Sequence, residues 1–241
     1  MLNFVRLPLE GAYNVRDLGG YPTKCGRMTK WHAFLRSDDP YDLTDSDIEF
    51  LKEYGLKTVI DLRAEDEMEA FPNPFERVEG VDYIKAPIFL DKIDYITSAA
   101  SHYKPQDMIT AFYLHLLTEA RENIRKVFSS IAEAKEGAVM FHCKVGKDRT
   151  GIVAALLLML CGVSRADIIT NYSSSFHYII QNPQIVKMIQ NSIPDLFYSK
   201  PEYIEPVLDY IEKEHGDAKG YLMWIGLKED EIKAIEKRLC E

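Results

Sequence analysis

Nine residues, His142-Cys143-Lys144-Val145-Gly146-Lys147-Asp148-Arg149-Thr150, constrain this chain more than any other feature. Ala138-Val139-Met140-Phe141 leads into them and reads as a short buried strand. Gly151 and an apolar run from Ile152 to Cys161 follow and read as a buried helix. A cysteine therefore stands where a strand ends, and an arginine stands where the next helix begins. A backbone that curls between strand and helix turns consecutive N–H groups inward, and the positive end of the helix dipole adds to them. Gly146 permits the tight turn and a close approach of backbone to ligand. The spacing builds a cup for an anion.

The side chains point to phosphate chemistry. Arg149 in the first helical turn can take two phosphate oxygens at once on its planar guanidinium, which a lysine cannot do. Lys144 and Lys147 add positive charge, and the backbone of Val145 and Gly146 completes the loop. The helix N-terminus and the nearby cations favour the thiolate of Cys143. Such a thiolate can attack phosphorus in line and form a phosphocysteine. Thr150 is placed to donate its hydroxyl to the sulfur. Asp148 is the nearest group able to protonate the leaving oxygen. Each residue has an ordinary explanation on its own, since a cysteine at a strand end is usually a small core residue. All the ordinary explanations would have to hold together within nine residues, so the functional reading prevails.

The segment His142 to Gly151 resembles the signature of the cysteine-dependent protein tyrosine phosphatase superfamily. Its Gly-Lys-Asp-Arg-Thr-Gly form is similar to a bacterial branch that also hydrolyses phosphoserine, phosphothreonine and phosphoinositides. Asn14-Val15-Arg16-Asp17-Leu18-Gly19-Gly20-Tyr21 resembles that branch's N-terminal motif. Leu35-Arg36-Ser37, Val59-Ile60-Asp61-Leu62-Arg63, Gly220-Tyr221-Leu222 and Gly226-Leu227 fit its further landmarks, so the likeness runs from about residue 10 to the C-terminus. It implies an α/β fold, a central mixed and mainly parallel sheet flanked by helices, with extra C-terminal helices and a single domain over residues 1–241. It also implies Cys143 as nucleophile, Arg149 as phosphate clamp and the residues between them as phosphate loop. Neither Trp31 nor Trp224 begins a Trp-Pro-Asp, so the mobile acid loop of classical members is missing. Asp148 matches the position of an acid carried inside the loop by some phosphoinositide phosphatases, and Asp91 is the alternative acid. Lys144 and Lys147 match a pair that meets extra phosphates in 3-phosphoinositide phosphatases.

The remaining sequence narrows the classes. The chain of 241 residues carries 29 basic and 38 acidic residues, a net charge of −9 with no long basic run, which argues against a nucleic-acid partner. The loop would be a local positive island in an acidic protein, the field an anionic substrate needs. No His/Cys cluster suggests a metal, and no cofactor is called for. Cys25, Cys143, Cys161 and Cys240 include no C-x-x-C, and a free reactive thiolate fits a reducing compartment. The first residues lack a signal-peptide pattern, and no apolar run is long enough to span a bilayer. These features point to a cytosolic protein, with signal-less export left open. The partner is a phosphorylated protein or a phosphoinositide.

Along the chain, residues 12–36 read as short strands with tight turns. Thr44 with Asp47 opens a helix to about residue 54, and Gly55 closes it. Strands are expected at 58–60, 83–86 and 138–141, and helices at 64–70, 109–117, 123–134, 150–161, 165–181, 202–214 and 229–239. Asp61 and Arg63 sit at a strand's C-terminal end, where open α/β sheets put ligand-facing residues, and read equally as substrate contacts or a structural ion pair. Arg16, Asp17 and Arg36 read as scaffold, and His142 as a residue that orients the loop. Aromatics in 92–120 and 172–203 could form lids, although such faces are more often core. Two other classes stand behind the phosphatase reading. A non-catalytic phosphate-binding module would have lost Cys143 or Arg149, and both are present. A redox enzyme of the arsenate reductase type would need a resolving cysteine, and Cys161 lies roughly 25 Å along a helix rising 1.5 Å per residue.

Overall fold

The computed structural model describes residues 2–89, 105–191 and 194–240. Five strands form one sheet in the order β1-β2-β5-β3-β4: β1 Arg16–Asp17, β2 Phe34–Ser37, β3 Leu56–Asp61, β4 Asp82–Lys85 and β5 Ala138–His142. Only β1 runs antiparallel to its neighbour. The fold is α/β with a mixed, mainly parallel sheet, as the resemblance implies.

Strand β5 is central, and every one of its residues is buried. Its side chains alternate between two cores. Val139 and Phe141 face the larger core with Phe34 and Ile60, whereas Met140 faces the smaller one with Leu35 and Val59. Burial on both faces explains why this strand reads as a continuous apolar run. The register aligns Ser37, His142 and Asp61 across the C-terminal edge of three parallel strands. Cys143 leaves the sheet at that edge.

The helices are α1 Asp45–Glu53, α2 Glu65–Ala70, α3 Pro105–Glu119, α4 Arg121–Glu133 and α5 Asp148–Leu160. They continue as α6 Arg165–Ser173, α7 Ser175–Ile179, α8 Pro183–Gln190, α9 Pro201–His215, α10 Ala218–Trp224 and α11 Glu229–Cys240. Thr44 and Asp47 close a reciprocal capping box on α1. Helix α4 buries Ile124, Val127, Phe128 and Ile131, the stripe of an amphipathic helix. By contrast α5 is buried from Thr150 to Leu158, so it forms the floor of the larger core. It starts at Asp148, two residues before the expected start, which puts Asp148 and Arg149 in its first turn.

Two expectations are corrected. The continuous helix over 165–181 is two helices meeting at Ser174, whose hydroxyl donates to the Asn171 carbonyl and accepts from buried Arg16. The segment 183–224 also holds α8 and α10, in addition to the helix expected at 202–214. Cys161 and Cys240 form a disulfide that ties the end of α5 to the end of α11, with Cα atoms 5.6 Å apart. Cys25 and Cys143 are free. No helix among the described residues is long and apolar enough to cross a membrane.

Candidate active site

The loop 143–147 spans the gap between β5 and α5. Gly146 adopts φ +70°, and a Cβ there would come within 2.7 Å of the Ser37 carbonyl and the Asp38 amide. Any other residue would strain the turn and push the loop off the end of β2. Cys143 is 2% exposed and lies at the base of the loop. Arg149 makes a two-pronged ion pair with Glu67, with 2.9 Å between Nη2 and Oε1. Burial opposes both charges, yet the pairing outweighs it, so Glu67 titrates below and Arg149 above its ordinary range. Glu67 also caps α2 by accepting from the Ala64 amide. Sequence reasoning missed it, although the acidic run Glu65-Asp66-Glu67 two residues after Arg63 was the available signal.

The N-terminal motif works from beneath the loop. Asn14 donates to the carbonyls of Val145 (3.2 Å) and Gly146 (3.0 Å), and Arg36 donates to the Gly146 carbonyl at 2.7 Å. Holding these carbonyls outward leaves the loop's amides free to face the cup. Arg16 donates to Asn171, Ser174 and Ser175, and Arg36 donates to Asn171 and Ser175, so both arginines clamp α6 and α7 to the loop. Burial lowers Arg36 to about 10, and burial with the neighbouring Arg36 charge holds Arg16 well below its ordinary range. Asp17 accepts from the Gly19 and His32 amides and from the Tyr54 hydroxyl.

Asp38 accepts from the Tyr13 and Asn14 amides, both at 3.0 Å, and burial raises its pKa to about 6. The folded chain thus holds this proton more tightly than the unfolded chain. Its contribution to stability is full below the unfolded value near ~4 and is lost as pH rises through about 6. The loss at neutral pH is about 3 kcal/mol for two pKa units. Asp38→Asn is expected to flatten the dependence of Tm on pH across this window, measured by thermal melts, while lowering Tm because an amide cannot accept both N–H groups. An unchanged slope would assign the titration elsewhere.

Asp61 and Arg63 are fully buried and pair at 2.6 Å. Asp61 also accepts from Tyr83 at 2.8 Å, and Arg63 reaches Asp39 at 3.0 Å and the Phe71 carbonyl at 2.8 Å. His142 Nε2 lies 3.3 Å from Asp61 Oδ2 and 2.8 Å from Asn73 Nδ2. Burial pushes the Asp61 carboxyl up, but His142 and Arg63 outweigh it and hold it well below the usual carboxylate range. The geometry is that of an internal ion-pair network beneath the loop.

The two loop lysines are already engaged. Lys144 pairs with Asp39 at 2.8 Å and stands 3.0 Å from the centroid of the Phe71 ring. Lys147 is 2% exposed and donates to the carbonyls of Leu196 and Tyr198, with Asp148 3.1 Å away. Its ammonium is therefore turned into the fold, not outward to further phosphates. The Thr150 hydroxyl is directed at the Ser37 carbonyl, 3.5 Å away, not at sulfur, because the first turn of α5 packs on the end of β2. Asp148 is partly exposed and accepts from the Tyr113 hydroxyl at 2.6 Å. Asp91 lies outside the described residues, as do Tyr95, His102, Tyr103 and Lys104.

A cleft beside the loop is lined by Asp39, Tyr41, Phe71, Lys144, Ile185 and Met188. Tyr41 and Phe71 meet edge to face, with centroids 5.3 Å apart. The aromatics suggested as lids are mostly packed inside. Tyr172 is buried, Phe176 packs on Tyr198 at 4.7 Å, and Tyr178 lies under Arg6 and Arg16. Among the described residues no cluster of three or more His, Cys, Asp or Glu side chains is suited to a metal.

A buried cysteine and a helix-borne arginine, joined by a five-residue loop at the C-terminal edge of a parallel sheet, define an enzyme of the cysteine-phosphatase class. The chain belongs to the tyrosine phosphatase family, whose pattern matches residues 7–241. It is 34% identical over 242 residues to a tyrosine-protein phosphatase of Nostoc commune, covering 91% of this chain and 81% of that one. It is 25% identical over 274 residues to the triple specificity protein phosphatase PtpB of Mycobacterium tuberculosis, covering 92% and 94%. Among solved structures, TpbA of P. aeruginosa aligns with a TM-score of 0.33 at 16% identity, covering 75% of this chain and 92% of that one.

Proposed function

We propose that this chain hydrolyses phosphotyrosine in proteins through a phosphocysteine on Cys143, with Asp148 as the proton donor. The observation that carries the reading is Cys143 at the base of a loop whose carbonyls are pulled outward by Asn14 and Arg36, with Arg149 on the first helical turn above it. In the first step the thiolate forms the S–P bond as the P–O ester bond breaks, and Asp148 gives its proton to the leaving oxygen. In the second step the Asp148 carboxylate takes a proton from water as the water oxygen attacks phosphorus. The S–P bond then breaks and returns the thiolate with inorganic phosphate. Arg149 and the loop amides hold the charge on the equatorial oxygens throughout.

Phosphotyrosine is favoured over a phosphoinositide by the state of the two lysines. Extra ring phosphates need unneutralised cations. Lys144 is paired with Asp39 against Phe71, and Lys147 is buried on two carbonyls. The cleft beside the loop offers Tyr41 and Phe71, which suit an aromatic leaving group. Cys143→Ser is expected to abolish turnover of p-nitrophenyl phosphate and of a phosphotyrosine peptide while leaving Tm near wild type. Acid quenching of the wild-type enzyme during turnover is expected to leave phosphate on the Cys143 peptide by mass spectrometry. Rates on phosphotyrosine, phosphoserine and phosphothreonine peptides and on mono- to tris-phosphorylated inositides test the substrate. Faster inositide hydrolysis would overturn the assignment.

A further inference from the structure

Two hydroxyls behind Asp148 have no part in the chemistry described so far. Tyr113 on α3 donates to Asp148 Oδ1 at 2.6 Å, and the Tyr172 hydroxyl on α6 lies 2.7 Å from that of Tyr113. Both side chains are buried, Tyr113 fully, and the rings meet edge to face at 6.1 Å. Tyr113 has one hydroxyl hydrogen and gives it to the carboxyl, so Tyr172 is the donor in the second bond. The result is a directed chain from Tyr172 to Tyr113 to Asp148, in which each bond polarises the next.

We infer that Tyr113 is a positioning residue for the proton transfer, holding Asp148 so that one carboxyl oxygen alone handles the catalytic proton. The inference rests on Asp148 being the acid, as proposed above. Tyr113 and Lys147 both engage Oδ1, the latter at 3.1 Å. Among the described residues no hydrogen bond is made to Oδ2, and the Asp148 side chain is 30% exposed. Oδ2 is therefore the oxygen left to carry the proton into the site. The arrangement serves both steps. When Oδ2 is protonated, Oδ1 is a carbonyl oxygen and still accepts from Tyr113. When the proton has gone to the leaving oxygen, the new negative charge is met at once by the phenol and the ammonium, with no reorganisation. Burial and the Asp148 charge push the Tyr113 phenol well above its ordinary range, which keeps it a donor.

The chain also couples the acid to the rest of the molecule. Tyr172 packs against Gly151, where a Cβ would lie 3.1 Å from the ring, and it neighbours Asn171, which accepts from Arg36 at 2.6 Å. Helix α6 thus supports, through Arg36 and Tyr113, both the outward carbonyl of Gly146 and the carboxyl of Asp148.

The test is a leaving-group series, from p-nitrophenyl phosphate through phenyl phosphate to alkyl phosphates, on wild type, Tyr113→Phe, Tyr172→Phe and Asp148→Asn. A good leaving group barely needs a proton, whereas an alkoxide needs one badly. Loss of a hydrogen bond to a charged group predicts that Tyr113→Phe slows alkyl phosphates by roughly 10- to 100-fold and leaves p-nitrophenyl phosphate within a few-fold of wild type. Tyr172→Phe is expected to steepen the same dependence by a smaller factor, and it serves if Tyr113→Phe does not fold. A structural role alone would slow all substrates equally. Equal slowing, or none, in both phenylalanine variants overturns the inference if Asp148→Asn still shows a steep dependence. A flat response in Asp148→Asn removes the acid itself and the inference with it.

Discussion

Arg149→Lys is expected to lower kcat for p-nitrophenyl phosphate by ~10²–10³-fold, the loss seen when a donor to a developing oxyanion is removed. The guanidinium has two tasks at once. One is to stay locked on Glu67 through both terminal nitrogens. The other, in the proposed mechanism, is to present donors to the phosphoryl oxygens, which needs the planar fork that an ammonium lacks. A lysine that pairs with Glu67 cannot also span two phosphate oxygens. A lysine that reaches the phosphate leaves Glu67, whose side chain is 26% exposed, as an anion beside an anionic substrate. KM for the phosphate ester is therefore expected to rise together with the fall in kcat. Glu67→Gln keeps the shape and removes the charge that orients the arginine, and its effect is expected to be smaller. Steady-state kinetics on purified variants with unchanged circular dichroism checks both. Wild-type turnover in Arg149→Lys would remove the arginine from the cup.

Cys240→Ser is expected to cost stability instead of activity. The bridge to Cys161 has a sequence separation of 79 and ties the last helix to the end of the loop-bearing helix. Removing such a cross-link frees the unfolded chain, a loss of about 2–4 kcal/mol. For a domain of this size that is a drop in Tm of roughly 4–16 °C. Cys143 lies at the other end of α5, so turnover by the folded variant is expected to match wild type at low temperature. Thiol titration gives the direct check. Protein purified without reductant and then denatured is expected to expose only Cys25 and Cys143, and all four cysteines after reduction. Four reactive thiols before reduction would mean that the bridge does not form. The result also bears on location, because the cytosolic home expected from the sequence keeps thiols reduced.

Elements made by short-range rules were legible: the capping box at Thr44 and Asp47, the helix at α4 and the buried run of β5. Those rules act over a few residues, so neighbours in the chain carry the information. The split at Ser174 was not legible, because its cause is Arg16, distant in sequence.

The same division holds within the site. Cys143, Gly146 and Arg149 were readable because one strand-to-helix turn places all three, and their spacing is local. What surrounds them was decided by packing across the molecule. Glu67 reaches Arg149 from α2, Asn14 and Arg36 reach the loop's carbonyls from below, and Tyr113 reaches Asp148 from α3. The lysines were read as outward charges, since sequence gives a residue's charge but not the partner that neutralises it. Only the tertiary structure put Asp39 beside Lys144 and two carbonyls around Lys147. The sequence alone thus determined the cup and the cysteine proposed as its nucleophile, which need only adjacent residues. The fold decided which charges are neutralised and which groups bracket Asp148, because those depend on groups tens to more than a hundred residues apart meeting in space.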